Sequence, residues 1–225
     1  MEASAWLSEE ISKYTSKPCV LVVGEAGEKA FLHSYHVKRA SGALGKLVDT
    51  SFAEGQNGYV VLRDVDAEAM LAFTQFIYAG NYYISFDMST PATDSGNESN
   101  KTDNTQFNNG DMEQNYSELF ISQAKIFVFA EYYGVETLMN MSMGRLHKLL
   151  CRVRLSRERI EDVLALIRYC YDRPGIEKLK EMVAAYSAAI IDAQVSDVVA
   201  ECFRDVLRER GDFAADIACH LVSSL

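Results

Sequence analysis

The stretch that decides the fold is residues 18–33, PCVLVVGEAGEKAFLH, near the start of the chain. Its apolar run from Cys19 to Val23 predicts a short buried strand, which is followed at once by the glycine-containing turn from Gly24 to Gly27. The residues from Lys29 to Leu32 then return as the second strand of a hairpin. Because the two glycines open a strand and not a helix, a hairpin turn explains them better than a dinucleotide-binding loop does.

Outward from this hairpin, strands and helices alternate as far as residue 86. The apolar pattern predicts a helix over residues 33–48 and a strand over residues 59–62. Asp66 is a candidate N-cap of a further helix that ends at Gly80, and residues 82–86 are typical of another strand.

After residue 117 the pattern is helical throughout. The helices are predicted around residues 119–133, 138–150, 160–171, 176–191, 197–210 and 213–221. Ser156, Ser196 and Asp212 are candidate N-caps, and Gly211 is a candidate C-cap. Strands and helices interleaved first, then helices alone, predict an α+β fold with an all-helical C-terminal extension.

Residues 87–117 interrupt this order. They are rich in Asn, Ser, Asp, Thr and Gly and hold few apolar side chains. Such a segment buries too little apolar surface to offset its ordering entropy, so we interpret it as a disordered insertion. It carries six acidic residues against one lysine, a net charge of −5, which is half of the −10 of the whole 225-residue chain.

The charge and cysteine content indicate a soluble intracellular protein. An acidic chain repels phosphate backbones, so no nucleic-acid partner and no anionic membrane surface is expected. The first six residues have no basic region and no apolar core of a secretory signal, and no apolar run is long enough to span a bilayer. Five scattered cysteines without a C-x-x-C pair suggest reduced, buried thiols in the cytoplasm or nucleus.

No catalytic constellation is visible in the sequence. The segment from Gly42 to Lys46 lacks both the first glycine and the hydroxyl residue of a phosphate-binding loop. The four histidines form no H-E-x-x-H motif, and no spacing of cysteine and histidine fits zinc. We therefore expect no enzyme, no cofactor and no metal site.

Several short motifs occur in a fixed order from the hairpin onward. The first are a phenylalanine and a histidine at Phe31 and His33, and the step from Ala40 to Ser41. Later motifs are Phe52-Ala53-Glu54, Asp64-Val65-Asp66, Phe76-Ile77-Tyr78-Ala79-Gly80 and the helix from Ala124 to Val135. In this order they resemble a BTB/POZ domain of the stand-alone type abundant in fungi. The resemblance implies a BTB/POZ domain over residues 1–150, a short mixed sheet with a helical cluster, and a helical extension over residues 151–225.

This resemblance implies a non-enzymatic protein–protein interaction or scaffold module. The alternative is a substrate adaptor of a cullin-based ubiquitin ligase, since Phe52 and Glu54 match the apolar-x-Glu step of cullin-binding members. We prefer the interpretation that Phe52 packs into its own domain. The matched positions His33, Ser41, Asp64, Tyr78, Gly80 and Tyr133 are expected to be structural. His33 is expected to be half-buried, and Tyr78 and Tyr133 are expected to be core aromatics.

Two departures from the family pattern bear on self-association. Homodimerising members carry an acidic residue before the first strand and a basic residue after the family histidine, where this chain has Pro18 and Ser34. The missing charge pair argues against a swapped homodimer.

A basic run from Arg145 to Arg159 is the remaining charged feature. It holds six arginine and lysine side chains against Glu158 alone. Nucleic-acid binding is one interpretation, but the run lacks interleaved aromatic residues. A solvated helix–loop face, or a dock for an acidic partner through Arg152 and Arg154, is the preferred hypothesis.

Overall fold

The computed structural model describes residues 11–49, 58–84, 116–153, 155–192 and 197–223. In these residues the chain is α+β, with a small mixed sheet and otherwise mostly helices. The strands are β1 (Pro18–Val23), β2 (Glu28–His33) and β3 (Tyr59–Leu62). The helices are α1 (Ser34–Ala40), α2 (Gly42–Leu47), α3 (Ala67–Ala79), α4 (Tyr116–Tyr132), α5 (Glu136–Arg152), α6 (Arg157–Tyr171), α7 (Glu177–Asp192), α8 (Asp197–Glu209) and α9 (Gly211–Ser223).

The predicted hairpin is confirmed, and its first strand, β1, is the central strand of the sheet. The strand order is β2–β1–β3, with β1 antiparallel to β2 and parallel to β3. Leu21 lies opposite Ala30 on one side and Val60 on the other. Alternate side chains of β1, including Leu21 and Val23, are buried, because successive side chains of a strand point to opposite faces.

The predicted single helix over residues 33–48 is wrong, because the chain forms two helices there. Ser41 separates α1 from α2 in an extended conformation, with φ −142° and ψ 119°. Its hydroxyl accepts a hydrogen bond from the Leu44 amide at 3.0 Å and so caps α2. The same hydroxyl donates to the Tyr133 carbonyl at 2.6 Å, a tertiary contact that the local sequence pattern does not reveal.

The predicted strand over residues 82–86 is not found in the described part, which ends at Ile84. Tyr82 is instead fully buried, and its hydroxyl donates to Gln123 Oε1 at 2.5 Å. The guanidinium of Arg145 covers the Tyr82 ring at 4.0 Å from the ring centre. Tyr82 is therefore held by helices α4 and α5, and the Tyr83 amide donates to Gln75 Oε1 of α3 at 2.7 Å.

Helix α4 is the central element of the molecule. It packs against α3, α5 and α6, and Phe120, Ile126 and Phe127 on it are fully buried. The hydrophobic core continues without interruption into the extension, as far as Phe203 and Phe213. The predicted division between residues 150 and 151 falls inside helix α5, and the hydrophobic core continues across it.

The helices of the extension lie close to the predicted ranges. Ser156 caps α6 by accepting a hydrogen bond from the Arg159 amide at 3.3 Å, as expected. The predicted caps Gly211 and Asp212 are wrong, since both lie inside α9 and only Arg210 separates α8 from α9. Backbone hydrogen bonds continue on both sides of Arg210, from its amide to Val206 and from Ala214 to its carbonyl. The candidate cap Ser196 lies outside the described residues.

The predicted insertion over residues 87–117 falls almost entirely outside the described residues. At its end, Tyr116 and Ser117 already form the first turn of α4. Helix α4 therefore begins at Tyr116, two residues before the predicted end of the insertion at residue 117. The Tyr116 ring packs near Phe120, and the Arg159 guanidinium covers it at 4.3 Å, which explains why this turn is ordered.

Candidate interaction surface

The family-motif histidine His33 ends β2 and contacts the end of helix α3. Its backbone amide donates to the Tyr78 hydroxyl oxygen at 3.0 Å, and its Nδ1 lies 2.9 Å from the same oxygen. His33 is half-buried, in line with the expectation of a structural residue. The second histidine, His36, packs on the Tyr78 ring with a centroid distance of 4.8 Å. Burial is the main cause that lowers the pKa of His36, since it disfavours the charged imidazolium.

Tyr78 itself is not the core aromatic residue that the motif suggests. Its side chain is 48% exposed, although its hydroxyl bonds to His33 and its ring lies edge-on to the His33 ring at a centroid distance of 6.0 Å. Gly80 follows two residues later and ends α3 with a left-handed φ of 70°, where its amide bonds to the Phe76 carbonyl at 2.8 Å. Tyr78 therefore lies on the last, outward-facing turn of α3.

Ser41 and Tyr133 are brought together although they are 92 residues apart. Both are buried, and the Ser41 hydroxyl reaches the Tyr133 carbonyl. Burial, with smaller contributions from Tyr132 and Asp64, raises the pKa of the Tyr133 phenol to about 12. Asp64 is exposed in the turn after β3. Four of the six matched positions thus meet in two pairs, His33 with Tyr78 and Ser41 with Tyr133.

The outer sheet face is an exposed apolar surface that the sequence interpretation missed. We define it by the side chains of Val20, Val22, Phe31, Tyr59 and Val61, which point away from the buried face of the sheet. Phe31 is 69% exposed, Tyr59 50% and Val61 46%. In the strand register Val20 lies between Phe31 and Tyr59, so these three residues form one row across all three strands.

A signal for this face was present in the sequence. The strand from Cys19 to Val23 is apolar at every position, although only alternate side chains of a strand can face the same core. Polar residues are typical of the solvent side of such a strand. Here valines occupy that side, which indicates a second apolar surface.

A shallow cleft lies beside the start of β1. Its volume is about 110 Å³, and Lys17, Pro18, Ser34, Lys38 and Tyr59 are among the residues that line it. The Lys38 ammonium group forms an ion pair with Asp49 at 2.9 Å. Pro18 and Ser34, the two positions at which the sequence departs from the charge pattern of homodimerising BTB/POZ domains, therefore share one cleft.

The basic run from Arg145 to Arg159 does not form one solvated face. Arg145 donates to the Tyr82 carbonyl at 2.7 Å and to Asn81 Oδ1 at 2.5 Å, in addition to covering the Tyr82 ring. Arg159 covers Tyr116 and lies 3.9 Å from Asp162. Both ends of the run therefore hold structural contacts, and this part of the surface hypothesis is wrong.

The remaining candidate interface residues are only partly described. Arg152 is exposed at the end of α5. Phe52, Glu54 and Arg154 lie outside the described residues, so the interface roles predicted for them stay predictions. The segment that holds Phe52 and Glu54 connects α2 with β3.

All five cysteines are free, but they are not all buried as expected. Cys19 and Cys170 are buried, and burial raises the pKa of both thiols, that of Cys170 to about 12. Cys202 is half-buried, whereas Cys151 and Cys219 are exposed. Each exposed cysteine lies on a helix side that faces solvent.

Comparisons with known proteins give no further guide to the site. Neither a scan of protein-family models nor a search of curated proteins returns a match. Among the described residues, no three or more His, Cys, Asp or Glu side chains come together in a group that could hold a metal ion. Over the same ranges no helix is both long and apolar enough to cross a bilayer.

Proposed function

We propose that this chain is a non-enzymatic protein–protein interaction or scaffold module of the BTB/POZ family. In this proposal residues 1–150 form a BTB/POZ fold and residues 151–225 its helical extension. The observation that supports it most is the pairing of the matched positions in space. His33 and Tyr78 are 45 residues apart, and Ser41 and Tyr133 are 92 residues apart, yet both pairs are joined by hydrogen bonds. Unrelated short motifs would not be expected to meet in this way.

The outer sheet face is the surface that best suits a protein partner. It presents a flat row of large apolar side chains, Phe31, Val20 and Tyr59, rather than a cavity with converging polar groups. Exposed apolar patches of this kind are typical of interaction sites. Aromatic residues are also the side chains that contribute most to binding energy at protein interfaces.

Affinity capture with matched variants tests the proposal. The full chain is compared with a Phe31→Glu/Tyr59→Glu variant and with a Val222→Glu control, since Val222 is 70% exposed on helix α9. We expect partners that cross-link to the wild-type chain to be lost from the sheet variant and retained by the control. Recovery of the same partners by all three chains would contradict the sheet face as the binding surface. The absence of any specific partner would contradict the interaction function itself.

Self-association is tested separately by light scattering. The missing charge pair at Pro18 and Ser34 argues against a swapped homodimer, since the described residues that line their shared cleft include Lys17 and Lys38 but no carboxylate. A stable dimer at micromolar concentration would show that the charge pair is not required.

A substrate adaptor of a cullin-based ubiquitin ligase is the second candidate function. It is favoured by the position of the Phe52-Ala53-Glu54 step, which lies in the connection from α2 to β3 and so between the helix and strand of the motif order. The test is co-purification with purified cullin, comparing the wild type with a Phe52→Ala/Glu54→Ala variant. The Val222→Glu control should bind like the wild type. Failure of the wild type to bind would eliminate the adaptor function and leave the scaffold function in place.

A further inference from the structure

Strand β3 is an edge of the sheet in the described part of the chain. The order β2–β1–β3 places no described strand on its outer side. The Leu62 carbonyl accepts a hydrogen bond from the Gly24 amide at 3.0 Å, so the backbone groups of Leu62 face β1. Because successive residues of a strand direct their backbone groups to opposite sides, those of Tyr59 and Val61 point away from β1. Such an edge is a template for one more strand.

The opposite edge of the sheet, formed by β2, is less suited to a further strand. The His33 amide at the end of β2 already donates to the Tyr78 hydroxyl at 3.0 Å, and the two rings pack edge-on. Helix α3 therefore occupies part of this edge. At β3, by contrast, the side chains of Tyr59 and Val61 are exposed as well as their backbone groups.

Positive charges lie at both ends of β3. At its start, the cleft lined by Tyr59 also holds Lys17 and Lys38, and its described lining includes no carboxylate. Lys38 is paired with Asp49, whereas Lys17 has no ion pair within the described ranges. At its end, Arg63 follows the strand directly, is exposed, and likewise has no ion pair in the part of the chain that the structure describes. The net charge of the chain is −10, so this positive character is local.

These charges argue against a second copy of the chain as the occupant of the edge. If two copies joined by antiparallel pairing of β3, the start of one strand would lie opposite the end of the other. Lys17 of one copy would then lie on the side of Arg63 of the other, and facing like charges destabilise a strand pair. The carboxylate next to Arg63, that of Asp64, acts on the Tyr133 phenol and raises its pKa, which places it toward the end of helix α4.

We propose that the edge of β3 binds an extended segment of a partner protein that carries an acidic residue at each end and apolar residues between them. This inference rests on the proposed interaction function and names the chemistry of the partner. The backbone of the segment pairs with the amides and carbonyls of Tyr59 and Val61, which is the strand-addition mode of peptide recognition. Its carboxylates lie beside Lys17 and Arg63, and its apolar side chains extend the outer sheet face.

The length of β3 sets the spacing of the two acidic residues. Tyr59 and Arg63 are four residues apart, which is about 13 Å along an extended strand. The acidic residues of the segment are therefore about four to six residues apart. A nucleic acid does not fit this edge, because it lacks the alternating amide and carbonyl groups that strand pairing requires.

The test measures the fluorescence anisotropy of labelled six-residue peptides added to the full chain. The acidic probe has a glutamate at each end and alternating valine and threonine between them, and the basic probe has lysines in place of the glutamates. We expect the acidic probe to bind about 10-fold more tightly. Two further probes carry N-methyl groups on alternate amides, one on each edge of the peptide. Only one of them should lose binding, since an added strand pairs through one edge.

Charge reversal in the protein provides the matched comparison. Lys17→Glu/Arg63→Glu should reverse the preference, so that the basic probe binds more tightly than the acidic one. The control, Arg204→Glu/Arg208→Glu, makes the same change of charge on exposed side chains of α8 and should keep the wild-type preference. Circular dichroism verifies that both variants retain their helices.

The inference is overturned if the acidic probe does not bind, if both end charges bind equally well, or if both N-methylated probes behave alike. A dimer in light scattering that Val61→Pro converts to a monomer would assign the edge to a second copy, because proline removes an outward amide and is tolerated on an edge strand. If the probes fail while affinity capture still recovers specific partners, the chemistry named for the partner is wrong and the interaction function stands.

Discussion

The sheet-bearing part of the chain and the helical extension use their polar groups differently. In residues 18–133, single hydrogen bonds join segments far apart in sequence, as between Ser41 and Tyr133. In residues 155–223, most ion pairs are short-range pairs along one helix, such as Arg208 with Asp205. Long-range polar contacts occur there as well: the Tyr171 hydroxyl donates to Asp216 at 2.7 Å, and Arg168 and Arg210 pair with Glu209 and Asp172 on neighbouring elements.

This difference indicates which contacts hold the helices and strands in position in the sheet-bearing part and in the extension. The small sheet and the short helices α1 and α2 contribute buried side chains such as Leu21, Val37 and Leu44 to the core, and specific polar contacts between distant segments add to what fixes their relative positions. The extension consists of long helices that bury continuous apolar stripes, and its surface charges contribute little because exposed ion pairs are weak. Polar substitutions should therefore be costly in the first part and mild in the second, whereas α4 should be essential to both.

The largest effect is expected from truncating the core of α4. Phe127 is fully buried in the core that both parts share, so Phe127→Ala should destabilise the protein by about 4 kcal/mol. Both parts should unfold in one transition, measured by urea titration with circular dichroism and tyrosine fluorescence. The control is Tyr132→Ala on the same helix, where the side chain is 78% exposed and little should change. Two separate transitions in the Phe127 variant would show that the parts fold independently.

A matched pair of serine substitutions compares the two parts directly. Ser41→Ala removes a helix cap and leaves the buried Tyr133 carbonyl without its hydroxyl donor, which should cost about 2 to 3 kcal/mol. Ser156→Ala removes the exposed cap of α6 and should cost about 0.5 kcal/mol. Urea midpoints give both values. Equal losses at the two sites would contradict the difference drawn between the parts.

The sequence predicted much of this fold because local signals decide much of it. The hairpin at residues 18–33 follows from an apolar run and two turn glycines, and the helices of the extension follow from their 3.6-residue periodicity. Asp66 was predictable as a cap, since its carboxylate accepts from the Glu68 amide at 2.9 Å, within its own helix turn.

The features that the sequence did not predict depend on contacts between distant residues. The break at Ser41 depends on the Tyr133 carbonyl, and the fate of residues 82–84 depends on Gln123 and Arg145. The basic run was misjudged for the same reason, because charge counting does not reveal that Arg145 is already engaged. The outer sheet face required the strand register, which brings Phe31, Val20 and Tyr59 into one row.

A pair of arginine substitutions tests whether buried polar contacts distinguish the two parts. Arg145→Ala loses two hydrogen bonds and the contact with the Tyr82 ring, and should cost about 1 to 2 kcal/mol. Arg208→Ala in the extension loses only a pair with Asp205 in which both side chains are at least 70% exposed, and should change stability very little. The measurement is again the urea midpoint. If Arg145→Ala left the free energy of unfolding unchanged, the contacts of Arg145 with Asn81 and Tyr82 would not contribute to stability.

The smallest effect is expected at Glu131, where the two parts meet. One carboxylate oxygen of Glu131 is buried and has no hydrogen-bond partner among the described residues, and the charges of Lys178 and Glu177 on α7 act on it. Burial is the main cause that raises its pKa above the ordinary value, so the ionised form is disfavoured in the folded state. The pKa of Glu131 is therefore higher in the folded chain than in the unfolded chain. The free energy of unfolding is larger at low pH, and this contribution is lost as the pH rises through the pKa of the folded chain.

Glu131→Gln removes this loss and should therefore stabilise the protein at neutral pH, by about 0.5 kcal/mol given that the residue is only partly buried. The gain should disappear at about pH 4, where the wild-type carboxyl group is protonated in the folded state. Thermal unfolding of both chains across this pH range provides the measurement, and Glu118→Gln, at the other end of α4, is the control for general loss of charge.

A gain in stability that is the same at both pH values would mean that the amide packs better and that ionisation is not the cause. A loss at neutral pH would mean that the attraction to Lys178 outweighs burial, and that the contact between α4 and α7 depends on a charge after all.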